Sequence, residues 1–191
     1  MTGTPDSPHP FERADQLEGW LERHHADRSG LWLKIAKRGS GVRSVTAAEV
    51  IDTVLCFGWI DGQRKSWDEV YYLQRITPRR PRSTWSQINV EKVEALLAAG
   101  RMRESGLAQV EAARSDGRWE AAYASQRTAT VPADLAAALE ANGPARRFYD
   151  GLGKSDRYLV IMRLLTARTP EVRAARLGRA VAAMGAGRKV S

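Results

Sequence analysis

The sequence predicts an α+β protein, in which a small, mostly antiparallel sheet with packed helices is followed by a helical C-terminal unit. Three observations support this. Leu31-Trp32-Leu33-Lys34-Ile35-Ala36-Lys37 alternates in part, with the period of two expected of a strand. Residues 59–66 and 70–77 are two further runs of strand character, joined near Trp67-Asp68-Glu69. Beyond residue 131 the apolar residues recur only at helical spacing. The expected division is an α+β domain over 11–125 and a helical unit over 126–187.

Taken in order, residues 1–10 are polar and Pro-containing and read as a loose terminus. Leu17, Trp20, Leu21 and His24 lie at helical spacing, which predicts a helix within 11–28. Lys37-Arg38-Gly39-Ser40-Gly41 is a basic loop without the spacing of a nucleotide-binding P-loop. Thr46 and Glu49 stand at capping-box spacing, and Val50, Val54 and Phe57 continue a helix that Gly58 ends. Prolines 78 and 81 forbid a helix through Thr77-Pro78-Arg79-Arg80-Pro81-Arg82. Ser86 or Asn89 opens the next helix, whose apolar face is Val90, Val93, Leu96 and Leu97. Another helix carries Leu107 and Val110 and stops at Asp116-Gly117. In the C-terminal unit Pro132 fits a first helical position, and Leu135 and Leu139 share a face. Asn142-Gly143-Pro144 is a break, Ser155 is placed to cap an apolar helix, and Thr169-Pro170-Glu171 caps the last one.

At 191 residues the chain is long enough to bury a core without disulfides, and the lone Cys56 sits in an apolar run. A single buried thiol suits a reducing compartment, and the first ten residues show no leader pattern; both point to the cytoplasm. The formal net charge is +8. Only Lys34, Lys37, Lys65, Lys92, Lys154 and Lys189 are lysines. The other cations are arginines, whose planar forks suit phosphate and carboxylate. Anionic partners are therefore expected, and no metal or cofactor is implied.

The cations cluster. Residues 70–90 contain no Asp or Glu, yet hold Arg75, Arg79, Arg80 and Arg82 beside Tyr71, Tyr72 and Trp85. Ser83, Thr84, Ser86 and Asn89 add hydrogen-bonding groups. Arginines attract phosphate, hydroxyls orient it, and aromatic rings stack on bases. Just upstream, Asp61 lies between Ile60 and Gly62, followed by Gln63, Arg64 and Lys65. Strict alternation puts Asp61, Gln63 and Lys65 on one face and Arg64 on the other. The nearby cations should keep Asp61 ionised. The candidate binding set is thus Arg64, Lys65, Arg75, Arg79, Arg80, Arg82, Ser83, Trp85, Ser86 and Asn89, with Asp61 the one candidate catalytic group. Near the C-terminus, Arg173, Arg176 and Arg179 step along one helix opposite Leu177, Val181 and Met184. His9, His24 and His25 form no metal-ligand pattern, and there is no nucleophile elbow or dinucleotide fingerprint.

Several blocks resemble the YdeI/OmpD-associated, or bacteriocin-protection, family. They are Ser44-Val45-Thr46, Leu55-Cys56-Phe57-Gly58-Trp59-Ile60-Asp61-Gly62, and Thr77-Pro78-Arg79-Arg80-Pro81-Arg82-Ser83-Thr84-Trp85-Ser86 with Asn89. Gly100-Arg101-Met102, Gly117-Arg118-Trp119, Ser155-Asp156-Arg157-Tyr158 and the run Thr169-Pro170-Glu171-Val172-Arg173-Ala174-Ala175-Arg176-Leu177 continue the resemblance, which extends from about Leu31 to Met184. It implies a bacterial protein linked by name to tolerance of bacteriocins or cationic peptides and to an outer-membrane porin. It assigns no catalytic residue.

Three functional readings follow. The first is binding of a phosphate-bearing ligand or nucleic acid through the Arg/aromatic segment. The second is a tolerance protein docking to an anionic envelope or a protein through the C-terminal basic helix. The third is an enzyme in which Asp61 acts on a small anion held by Arg64, Arg75, Arg79 and Arg80.

Overall fold

The computed structural model describes residues 7–124, 128–167 and 169–190. They fall into two compact units. One holds the chain through Trp85 together with Asn89–Ala121; the other holds Ser86–Ile88 and the chain from Ala122 on.

The first unit is built on a four-stranded sheet of order β1-β2-β4-β3. Its strands are β1 (His9–Pro10), β2 (Leu31–Ala36), β3 (Trp59–Ser66) and β4 (Tyr71–Pro78). Both β2 and β3 run antiparallel to β4. Strand β1 pairs parallel with β2, His9 facing Leu33. The terminus expected to be loose is thus tied down as far back as His9. Two residues are too few to show a period, and Pro10 is tolerated because β1 is an edge.

Leu31, Leu33, Ile35 and Ile76 are buried on the inner sheet face. Leu17 and Leu21 of α1 (Ala14–His24) and Val50 and Val54 of α2 (Ala47–Cys56) are buried in the same unit. Helix α2 starts where its capping box predicts. The Glu49 amide donates to Thr46 Oγ1 at 3.2 Å, and the Thr46 amide donates to Glu49 Oε2 at 2.7 Å. Those bonds from Thr46 hold the Glu49 carboxyl below its ordinary pKa.

The end of α2 meets the start of α4 (Glu104–Ser115). The last carbonyls of a helix lack intrahelical donors. Here the Arg103 amide donates to the Cys56 carbonyl at 3.0 Å, and Ser105 Oγ donates to the Phe57 carbonyl at 3.0 Å. The two backbones approach so closely that a Cβ on Gly106 would stand 2.2 Å from the Cys56 oxygen. Helix α3 (Gln87–Ala98) buries Val93 and Leu96.

The second unit is helical: α5 (Ala133–Glu140), α6 (Gly143–Gly151), α7 (Lys154–Leu165) and α8 (Pro170–Gly185). Leu135, Leu139, Tyr149, Val160, Ile161, Leu164, Ala180 and Met184 form its core. The break at Asn142 is a helix start, with Asn142 Oδ1 accepting from the Ala145 amide at 3.0 Å. Thr169 caps α8 as predicted, accepting from the Val172 amide at 3.2 Å. Gly153, not Ser155, is the N-cap of α7. No helix of the described residues is long and apolar enough to cross a membrane.

Gly106→Ala should destabilise the protein by about 1–3 kcal/mol, because the new methyl must push two helix ends apart. Urea unfolding checks this, and an unchanged midpoint would show that the junction is more compliant than its geometry implies.

Candidate functional site

Register decides which side chains share a face, because residues paired across strands point the same way. Leu31 pairs with Ile76 and Leu33 with Gln74, which defines the inner face. Trp32 pairs with Arg75, Lys34 with Leu73, and Ala36 with Tyr71, which defines the outer face. Strand β3 changes phase between these two sets. Asp61 pairs with Ile76, but Arg64 pairs with Gln74, so three steps on β3 match two on β4. This is a β-bulge, and its extra residue reverses the alternation that follows. Arg64 therefore lies on the same face as Asp61, and Lys65 crosses to the outer face. Strict alternation predicted the reverse.

The bulge is held by a buried side chain. Gln74 Nε2 donates to the Gly62 carbonyl at 3.0 Å and to the Gln63 carbonyl at 3.4 Å. Its Oε1 accepts from Arg64 Nε at 3.2 Å, and Arg64 Nη2 donates to the Tyr72 hydroxyl at 3.2 Å.

The outer face collects cations on aromatic rings. Lys65 Nζ lies 4.4 Å from the Trp32 ring centre, the Arg75 guanidinium 5.7 Å from the same ring, and Lys34 Nζ 4.3 Å from that of Tyr71. Leu73, between Lys34 and Lys65 in the pairing, is buried. Strands β2, β3 and β4 place no carboxylate on this face, since their one acid, Asp61, is on the other. Of these residues the sequence reading selected Lys65 and Arg75 as binding groups and missed Trp32 and Lys34. The signal was present, because both are out of phase with the buried Leu31, Leu33 and Ile35.

The rest of the predicted set separates from this face. Arg79 is only 6% exposed, with its guanidinium 3.5 Å from the centre of the Trp85 ring. It also donates to the Thr84 carbonyl at 3.4 Å, and its amide donates to the Gly58 carbonyl at 3.0 Å. Trp85 is buried and packs edge-on against Trp119 at 4.8 Å. A desolvated contact of this kind is worth about 2 kcal/mol, so Arg79 and Trp85 hold the loop in place. Ser83 closes the adjoining turn, its Oγ accepting from the Arg80 amide at 3.1 Å. Its carbonyl accepts from Arg118 Nη1 at 2.9 Å. Arg80 and Arg82 are exposed. Asn89 is half-buried near the start of α3, and Ser86 bridges to Tyr123 within the second unit.

Asp61 is half-buried. Burial pushes its pKa up, against the opposing pull of its own backbone amide, Arg64 and Arg79. Desolvation outweighs the cations in setting the direction of this shift. The three arginines of α8 also part company. Arg173 is bound by Asp134, with Nε at 2.7 Å and Nη2 at 2.9 Å, and donates to the Leu164 carbonyl at 3.0 Å. Among the described residues no cluster of three or more His, Cys, Asp or Glu could hold a metal ion.

Comparison with known families divides the chain at a similar place. Residues 9–109 match the model of a domain of unknown function, DUF8412. The chain belongs to that family. Residues 128–187 match the model described as bacteriocin-protection, YdeI or OmpD-associated, and form a domain of that kind. The Gly58–Gly62 and Pro78–Ser83 blocks therefore fall in the first match, and the second is narrower than the sequence resemblance indicated. No curated protein and no solved structure matches the chain.

Gln74→Leu should cost about 0.5–1.5 kcal/mol by removing the donor to the bulge carbonyls of Gly62 and Gln63. Urea unfolding measures the loss, and no change would remove Gln74 from its role. Asp61→Asn carries a signed pH prediction. A folded pKa above the ordinary value of 3.8 means that the native state binds the proton more tightly than the unfolded chain. Wild-type stability therefore falls, relative to the variant, as pH rises from that value through the raised one. Unfolding curves from acid to neutral pH should show the advantage of the variant growing and then levelling; a constant difference contradicts the burial argument.

Proposed function

We propose that the N-terminal unit binds a phosphate-bearing ligand, with single-stranded nucleic acid the best fit, through the outer face of its sheet. The observation that supports this is the acid-free group of Trp32, Lys34, Lys65, Tyr71 and Arg75. Cations draw in a phosphate backbone, and flat rings offer stacking surfaces to bases of any sequence. Lysines and arginine resting on those rings are held in place, so less freedom is lost when phosphate arrives. Arg80 and Arg82 on the neighbouring loop extend the field, whereas Arg79 and Trp85 serve as its scaffold.

The division of labour follows the two domains, taken as 11–125 and 126–187. On this reading the protein holds an anion rather than transforming it, and needs no cofactor. Exposure to nucleic acid suits a cytoplasmic location. The tolerance named in the bacteriocin-protection family then becomes a downstream effect of binding.

Fluorescent oligonucleotides of about ten nucleotides, titrated across salt, test the proposal. Affinity should fall steeply as salt rises. Trp32→Ala should weaken binding by about 1–3 kcal/mol if it stacks on one base. Lys65→Glu with Arg75→Glu should flatten the salt slope by about two phosphate contacts. No binding at low salt, where electrostatic attraction is strongest, overturns it.

A further inference from the structure

The second unit has its own cationic feature, chemically unlike the sheet face. An open cavity of about 680 Å³ is lined by the last turns of α7, one face of α8 and the chain that follows α8. Arg163, Thr166, Arg176, Arg179, Arg188 and Lys189 supply its polar groups. Lys189 is neutralised by Asp156 at 2.8 Å. Among the described residues none of the four arginines meets a carboxylate, and no acid lines the cavity.

Arg176 has a structural duty. Its Nη1 donates to the Arg163 carbonyl at 2.7 Å and to Thr166 Oγ1 at 3.3 Å, which places a cation at the C-terminal end of α7. Among the described residues Arg163, Arg179 and Arg188 show no such bond; they are exposed around the cavity. Gathering like charges from three chain segments around one concavity raises the energy of the empty site. The same arrangement concentrates positive potential where a small anion can enter. Guanidinium forks reach several phosphate oxygens at once. A concave lining is shaped for a compact anion and not for the plane of a membrane.

We infer that this groove binds a compact anion bearing two or more phosphoryl groups. Because Arg176 is already oriented by α7, it forms the fixed wall, and Arg179 and Arg188 close on the remaining oxygens. No ring lines the groove, so recognition is by charge and geometry, without base stacking.

The test uses the full chain and three probes: tripolyphosphate, orthophosphate and vesicles rich in anionic lipid. At low salt tripolyphosphate should raise the unfolding temperature and bind at least about tenfold more tightly than orthophosphate, since each added charged hydrogen bond contributes on that scale. Arg179→Gln with Arg188→Gln should weaken tripolyphosphate binding by about tenfold or more. That variant keeps Arg173 and Arg176, and so the α7–α8 ties. Lys65→Glu with Arg75→Glu should leave tripolyphosphate binding intact, so failure at the sheet face and failure here are read separately. Equal affinity for the two phosphates, or wild-type affinity in the Arg179/Arg188 variant, overturns the inference. Vesicle binding that is lost in that variant, without tripolyphosphate binding, also overturns it and assigns the groove to lipid.

Discussion

The bonds from the buried Gln74 amide to the Gly62 and Gln63 carbonyls decide which face of the sheet the neighbouring cations occupy. A strand with strict alternation would turn Arg64 outward and Lys65 inward. The extra residue reverses both. Gly62 and Gln63 have no register partner on β4, and Gln74 is placed opposite to bond their carbonyls. The same amide fixes Arg64 through its oxygen. One neutral side chain thus stabilises an irregular backbone, occupies the cation on the inner face and leaves Lys65 over Trp32. An apolar residue at 74 would suit a regular core better, so its polarity makes sense only with the bulge.

The many arginines become easier to understand once sorted by what each one touches. Arg79 lies on Trp85, Arg118 reaches the Ser83 carbonyl, and Arg173 is forked on Asp134. These groups use the guanidinium as a planar connector, within one loop at Arg79 and between segments distant in sequence at Arg118 and Arg173. Lys34, Lys65 and Arg75 instead rest on rings at the outer face. An amphipathic cation over a ring stays hydrated on one side, and the exchange of water for phosphate oxygen disturbs little else. The first group supports the architecture; the second is the one the proposed function uses.

Much of the fold was legible because periodicity reports burial. The alternation of Leu31 to Ile35, the Thr46–Glu49 box and the Thr169 cap all gave their elements within a residue or so. The site was harder to read. Pro78 and Pro81 make the intervening arginines look exposed, but Arg79 is buried, because Trp85 and Trp119 come from segments that no local pattern connects. The Arg173–Asp134 pair joins residues 39 positions apart. A bulge has no periodic signature at all, and only Gly62 hints at one. Charge clustering singled out the segment, and register then decided which of its side chains share a face.

The two cationic sites differ in a way that bears on their ligands. The sheet face is a platform in which each cation is paired with a ring, and rings interact with bases as well as with charge. The groove of the second unit has guanidinium groups and small aliphatic side chains but no ring. A nucleobase entering it would leave water without gaining a stacking partner, whereas a phosphoryl chain would satisfy the converging donors. Charge alone would make the two sites interchangeable for any polyanion. On the functions proposed above, Trp32 and Tyr71 favour base-bearing anions at the sheet, and a lining without aromatics favours compact phosphates in the groove.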